Sequence, residues 1–484
     1  MAVSKYDIIV VGAGPGGCAC AALLQKWGMK TLLLDKNDRV GGKSLNMHKD
    51  GFTYELWPVL ATPMLNTKFH EVATELGVEI KMSDQVPALK GGGFLYRPAK
   101  SKKYESFNLV PPFMIPERLT KEETEEVNRL FSDMAALTPA EMDALDDVNF
   151  HDFLCRYNVS RSVYTFLAVM VNTLFLEPID LASASEMAKT MNDFTTKLGA
   201  AYFIGGQAQL FETFMKAFKR DGGDLRLRTR VERIIVENGQ VQGVYTDKGT
   251  FKAPIVVSNA GIQPTVLKLV GEEHFDRSYV NYVKDLVPGW GFTGQRYFLS
   301  KPVLKFDLCS VYSDDSWLNM ERFLKMKKGQ LPDDVIIYGM VTSNYDPDMA
   351  PPGKQILIAG TICSPNPEAT EIKMVWEKMD QTLFQLWPDI ESVLESKEYA
   401  GPAEVSSLSR DHVLPGQGGE AVGMGQIVGQ CGRYKPSPKA PIRGLFYVGC
   451  DAGGALMGTH QAADSGIKVA RTVFQYHRIR QAAA

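Results

Sequence analysis

The residues with the most chemical content stand near the start of the chain, in Gly12-Ala13-Gly14-Pro15-Gly16-Gly17. Glycines at 12, 14 and 17 provide a tight turn, a place for backbone to approach a bound group, and close packing of the following helix. The free N–H groups and the positive dipole end of the helix that follows suit a pyrophosphate. Asp35, 18 residues beyond Gly17, is spaced to accept hydrogen bonds from ribose hydroxyls. Within Lys36-Asn37-Asp38-Arg39-Val40-Gly41-Gly42-Lys43 a glycine pair follows the acid. A second close approach of backbone to a cofactor is one physical use for such a pair, and it favours FAD over NAD; an ordinary surface turn is the other.

A second cluster lies near the C-terminus, in Gly444–Gly454 (GLFYVGCDAGG) and the ALMGTHQAADSG that follows. Leu445–Val448 reads as a strand, and Gly449, Cys450 and Asp451 open a loop. A helix is expected from about Thr459, with Thr459 as its N-cap and Gly458 before it. Its positive end could stabilise negative charge on a reduced ring system. His460, at the helix start, is a candidate acid–base or a holder of a substrate carbonyl, against a capping or packing role. Arg296 and Tyr297 fall on the β-rich run Phe292–Leu299, where alternation sends them to opposite faces, so only one of them can face a substrate. Gly205-Gly206 follow a strand-like run and are candidates for another close approach.

These residues need elements to position them. Ile8–Val11 and Thr31–Leu34 read as buried parallel strands flanking a helix at Cys18–Trp27, with Gly28 as its stop. Further strands are expected at Leu225–Val236, Gln242–Thr246, Thr250–Ala253 and from Ile255. The fold class is therefore α/β, a parallel sheet with crossover helices. Residues 81–199 read as helical in their middle: Glu122–Leu137, Pro139–Leu145 after a Thr138 cap, and Phe150–Tyr157. Residues 286–404 are strand-rich, at Phe292–Leu299, Val335–Val341 and Gln355–Cys363, with a helix at Met374–Leu386.

The run LLLDKNDRVGGKS resembles the large FAD family of amine oxidases, protoporphyrinogen oxidase and phytoene desaturase-like enzymes. The strands leading to IVVSNAG, with Asn259, and the terminal GLFYVGCDAGG match the same family. The resemblance implies a Rossmann-like FAD domain of the glutathione-reductase type, assembled from 1–80, 200–285 and 405–484. A substrate or cap domain is then built from 81–199 and 286–404. It places adenine against the backbone at Val231, the Gly205–Gly206 pair near the flavin, and Asp451 near the ribityl or pyrophosphate section. Cys450 makes the local match G-C-D rather than G-D.

The branch implied is nearer the phytoene desaturase-like enzymes: desaturation, or saturation, of a carbon–carbon bond in a lipophilic or cyclic substrate by hydride transfer at flavin N5. The terminal D-A-G-G-A-L-M-G departs from the H-P-G-x-G-x-P-G of carotenoid desaturases, which counts against a carotenoid. A flavin amine oxidase is the alternative, and a prenyl-client binder of the Rab-GDI type a further one. Cys431, only 18 residues before Gly449, sits too close for the covalent flavin linkage of some members, so FAD is expected to be non-covalent. The partner is a small apolar or cyclic molecule; the electron acceptor or donor and the oligomer are left open.

Composition bounds the rest. A formal charge of -3 over 484 residues gives no general electrostatic reason to bind nucleic acid. Seven scattered cysteines without a C-x-x-C pair argue against a disulfide framework or a metal site and suit a reducing cytoplasm. Cys18 and Cys20 read as small buried packing residues. The longest apolar-rich run, Ser162–Leu176, is short of the ~18 apolar residues of a spanning helix and reads as a buried helix. Peripheral contact with a membrane stays open.

Overall fold

A computed structural model of the chain describes residues 6–57, 67–83, 92–110, 113–196 and 201–482. Five short strands form a parallel sheet in the order Leu445–Tyr447, Val256–Ser258, Ile8–Val11, Thr31–Leu34, Asp224–Arg226. Side-chain alternation in these strands divides the surrounding core in two. Ile8, Val10, Leu33, Val257 and Phe446 face helices Pro15–Lys26, Lys68–Leu76, Gln207–Arg220 and Gly458–Ala482. Ile9, Val11, Leu32, Leu34, Val256 and Tyr447 face the opposite layer, which includes an antiparallel meander. The apolar runs thus reflect burial on both faces.

The meander comprises Val231–Glu237, Gln240–Thr246 and Gly249–Lys252. The sequence reads one strand across Leu225–Val236; the chain instead breaks there. Asp224–Arg226 joins the parallel sheet, Arg228 turns with φ +50°, and Val231 begins the meander. Propensity cannot distinguish one long strand from two that belong to different sheets.

A seven-stranded mixed sheet has the order Leu394–Ala400, Gly291–Leu299, Gln355–Cys363, Ile337–Met340, Leu308–Ser313, Phe94–Arg97, Glu105–Ser106. Phe94–Arg97, from the first expected insertion, pairs parallel with Leu308–Ser313 of the second, so both insertions share one sheet. Along Gly291–Leu299, Thr293, Gln295 and Tyr297 contact helix Glu371–Leu386, whereas Phe292, Arg296 and Phe298 turn toward Trp57, Leu56 and Phe52. A separate helical core gathers Lys121–Ala136, Arg161–Leu174 and Ala184–Thr196. Side-chain caps fix the starts of several helices: Thr120 accepts from the Glu123 N–H, Thr138 from Glu141 and Asn149 from Asp152. Among the described residues no helix is long and apolar enough to cross a membrane.

Candidate functional site

The first glycine loop is built by close approach. A Cβ at Gly17 would overlap the Gly12 carbonyl oxygen, and one at Gly16 would lie 2.9 Å from Gly449 Cα. Gly12 itself has φ +97°. The second glycine pair docks onto this loop: Gly41 donates from its N–H to the Ala13 carbonyl at 2.9 Å, and a Cβ on Gly42 would come within 3.0 Å of Gly14 Cα. Asp35 is the tie between them. Its two oxygens accept from the Ala13 and Asn37 N–H groups, each at 2.7 Å. Burial raises its pKa, against the lowering by those two N–H groups.

Asn259, at the end of strand Val256–Ser258, stitches the loop to the neighbouring strand. In the orientation that satisfies both ends of its amide, Nδ2 donates to the Val448 carbonyl at 3.1 Å and Oδ1 accepts from the Gly14 N–H at 3.2 Å. Three strand ends and two helix N-termini, at Pro15 and Gly458, therefore converge on one place.

They converge on a cavity of about 380 Å³. Gly12, Gly14, Pro15, Gly16, Asp35 and Lys36 line its first end, with Val231 and Asn259. Gly42, Lys43, Gly449, Asp451, Gly458, Thr459 and His460 line its middle. The far end is apolar, walled by Trp57, Leu174, Leu176, Phe292, Tyr338 and Met457.

Charged groups gather where Lys36 and Asp411 line the cavity. Lys36, Arg230 and Lys268 all pair with Asp411, at 3.0, 3.1 and 2.7 Å. Burial works to raise the Asp411 carboxyl, but these cations hold it well below the usual carboxylate range. Lys43 donates to the carbonyls of Glu420 and Val422. Burial, then the nearby Arg410 charge, brings its pKa down to about 8. Asp451 is committed to protein: it accepts from Arg410 through both oxygens and from the Ile262 and Met424 N–H groups at 2.9 and 3.0 Å.

Several expected site residues lie elsewhere. Gly17 and Gly41 act behind the cavity, through the packing just described. Gly205 and Gly206, at φ +80° and +77°, open helix Gln207–Arg220 away from the cavity wall, where Asn46 donates to the Gly205 carbonyl. Gln207 then reaches the site, donating to the Thr459 hydroxyl at 2.9 Å. Thr459 is not the N-cap that its type suggests; the helix already begins at Gly458. Tyr297 is fully buried on the far face of the sheet and donates to Asp380. Arg296 is on the near face but behind Trp57, 5.6 Å from its ring, donating to the Leu56 carbonyl. His460 does line the cavity, its ring 5.1 Å from that of Phe69. Arg410 and Tyr338 were missed in the sequence: neither sits in a motif, and only the fold brings them to the cavity.

A family model described as flavin containing amine oxidoreductase matches residues 15–474. The phytoene desaturase of Fusarium fujikuroi is 26% identical over 395 residues, covering 73% of this chain and 65% of that one. The chain thus spans less than two thirds of that relative's length. The lycopene-forming phytoene desaturase of Pseudescherichia vulneris is 23% identical over 94% of this chain and 95% of that one. An oxidoreductase from Methanosarcina mazei has a similar fold, with a TM-score of 0.71, 15% identity, and coverage of 96% and 99%. The chain belongs to the flavin containing amine oxidoreductase family.

Proposed function

We propose that the chain binds FAD non-covalently and removes hydrogen from, or adds it to, a carbon–carbon bond of a lipophilic or cyclic substrate. The observation that carries this reading is one cavity joining a glycine-built phosphate loop to an apolar chamber. FAD supplies the two-electron chemistry, exchanging hydride with a substrate carbon; the protein supplies position, water exclusion and electrostatics. The first-turn N–H groups of helix Pro15–Lys26 fall outside its internal ladder and are available to a pyrophosphate. Lys43 adds a positive charge, Val231 backs the adenine, and Asp35 shapes the loop while facing the ribose position.

Trp57, Leu176 and Phe292 exclude water from the apolar end and orient a flat substrate. Non-covalent attachment accords with the thiols. Cys431 is fully buried away from the cavity wall. Cys450 lines the wall, but donates to the Gly458 carbonyl and has its pKa pushed up to about 11 by burial. All seven cysteines are free; the compartment we propose is the cytoplasm, with the substrate met in solution or at a membrane surface.

Anaerobic titration of the bound flavin against cyclic ketones, polyenes, acyl compounds and amines tests the proposal. Bleaching by an apolar C–H donor, or reoxidation of the reduced protein by an enone or polyene, is expected. Bleaching by amines alone, with aldehyde release, overturns it in favour of amine oxidation. A colourless protein that releases no flavin on denaturation overturns it in favour of a client binder.

A further inference from the structure

The apolar end of the cavity carries hydroxyl groups to which the flavin reading gives no task. Strand Ile337–Met340 sends Tyr338 into the space walled by Trp57 and Phe292. Beyond these rings the space continues as a small recess, and Thr173, Leu176, Phe292 and Tyr338 line both parts. The recess adds Asn172 and Thr361. Asn172 is committed to structure: Nδ2 donates to the Glu177 and Leu318 carbonyls at 2.8 and 3.0 Å, and Oδ1 accepts from the Leu318 N–H at 2.8 Å.

Tyr338 differs. Among the described residues its hydroxyl contacts the Met340 thioether sulfur, at 3.9 Å. That is a long bond to a weak acceptor, and the half-buried ring opens onto the cavity, where a bound molecule can offer a stronger one. Burial keeps this phenol in its proton-bearing form, so it stands ready as a donor. The walls beside it are flat: Trp57 and Phe292 meet edge to face, with centroids 5.4 Å apart. A pure hydrocarbon filling this end would seal the hydroxyl away from water without a partner, which costs free energy. A ligand with an oxygen at that point would remove the cost.

We propose that this end of the cavity is a subsite for a flat, cyclic or unsaturated substrate bearing one oxygen substituent, a carbonyl or hydroxyl whose oxygen accepts from Tyr338 and sits beside Thr173. The inference rests on the flavin-oxidoreductase reading of the same cavity, and it narrows the substrate from any lipophile to an oxygenated one. Tyr338 is a specificity residue in this assignment; its phenol reads the oxygen, while Trp57, Leu176 and Phe292 hold the carbon skeleton.

The test uses the purified full-length holoprotein and two probes that share a skeleton, carvone and limonene, of which only carvone carries the ring carbonyl. Binding is read from perturbation of the flavin absorbance and from tryptophan fluorescence, which Trp57 makes sensitive to this end of the cavity. Carvone is expected to bind at least tenfold more tightly than limonene. Tyr338→Phe, which keeps the ring and removes only the hydroxyl, is expected to lower the carvone-to-limonene ratio at least tenfold, with retained flavin content showing that the variant is folded. Thr173→Val, a second removal of a hydroxyl, is expected to lower the preference in the same direction should the first variant not fold. Equal binding of the two probes, or an undiminished preference in Tyr338→Phe, overturns the proposal. A preparation without flavin overturns the parent reading instead, and the fluorescence titration still decides the subsite.

Discussion

Arg410 and Asp451 face each other as a closed fork: Nη1 reaches Oδ1 and Nη2 reaches Oδ2, each at 3.1 Å, with both side chains almost wholly out of solvent. The same carboxylate holds the Ile262 and Met424 N–H groups, so it locks three separate segments around the cavity. Burial alone would raise the Asp451 pKa, but Arg410 and the two N–H groups bring it down to about 2. A carboxyl depressed in the folded state contributes stability that is complete above its unfolded value of about 4 and is lost as pH falls toward about 2. Asp451→Asn should remove that acid-sensitive step. At neutral pH it should cost about 3 kcal/mol, by leaving Arg410 buried with only Glu420 near it, at 3.6 Å. Thermal unfolding of wild type and variant between pH 2 and pH 7 checks this; parallel curves for the two proteins would refute it.

Gly16 touches Gly449 more closely than any side chain allows. Gly16→Ala puts a methyl 2.9 Å from one backbone atom of Gly449 and 3.0 Å from another. Backbone cannot yield as a flexible side chain does, so the helix start must move off the loop. We expect a stability cost of about 1–3 kcal/mol and a larger effect on cofactor, with flavin occupancy after dialysis falling at least tenfold. Absorbance of the dialysed protein measures it, and full occupancy would show that the two segments are free to separate.

How much of this was legible in the sequence depends on the range of each contact. Gly12, Gly14, Asp35 and Gly42 were readable because turn, strand and acid are neighbours along the chain. Strand Gln355–Cys363 was readable end to end because an apolar, β-rich run is bounded by Gly353-Lys354 and Ser364-Pro365. Phe94–Arg97 was not, because its place is fixed only by pairing with Leu308–Ser313, more than two hundred residues away. Arg410 and Tyr338 are ordinary residues in sequence; tertiary packing alone brings them to the cavity. The opposite placement of Arg296 and Tyr297 followed from strand alternation, yet which face holds the site required the second sheet layer.

Lys43 should make cofactor affinity depend on pH. Its folded-state pKa, near 8, lies below the usual lysine range. In the flavin-free protein the charged form therefore costs stability below about pH 8, and that cost is relieved as pH rises toward the unfolded value. An anionic pyrophosphate favours the charged form, so FAD should bind more weakly as pH rises through about 8. Lys43→Arg should abolish this dependence, since its charge persists, and Lys43→Gln should bind weakly throughout. Fluorescence titration of flavin-free protein with FAD from pH 6.5 to pH 9.5 reads all three; a flat wild-type profile would contradict the placement.

His460 packs its ring against Phe69 in the first turn of helix Gly458–Ala482 and is 5% exposed. We propose a packing role for it in place of the acid–base role its type suggests. His460→Ala should lower stability by about 1–3 kcal/mol as a buried ring is lost, while the rate of flavin reduction by the true donor changes less than about tenfold. A loss on the scale of general acid–base catalysis, about 100-fold or more, would place the imidazole in the proton transfer instead.

Arg296 acts at one remove. Its guanidinium donates to the Leu56 carbonyl and lies under the ring of Trp57, which walls the apolar end of the cavity. Burial lowers its pKa to about 10, while the surrounding Tyr54, Glu398 and Glu404 pull it upward, so it stays charged at neutral pH. Replacing it with methionine keeps a long apolar stem but removes the fork that fixes Leu56 and Trp57. Leaving the Leu56 carbonyl unpaired should cost about 1–3 kcal/mol. With Trp57 less firmly held, the loss should fall on substrate binding common to ground and transition states, so KM should rise while kcat changes little. The flavin spectrum should be unchanged, because Arg296 is not among the described residues that line the cavity, and Arg296→Lys should restore KM in part. A fall in kcat with KM unchanged would refute the positioning role, since it would mean that Arg296 acts only in the transition state.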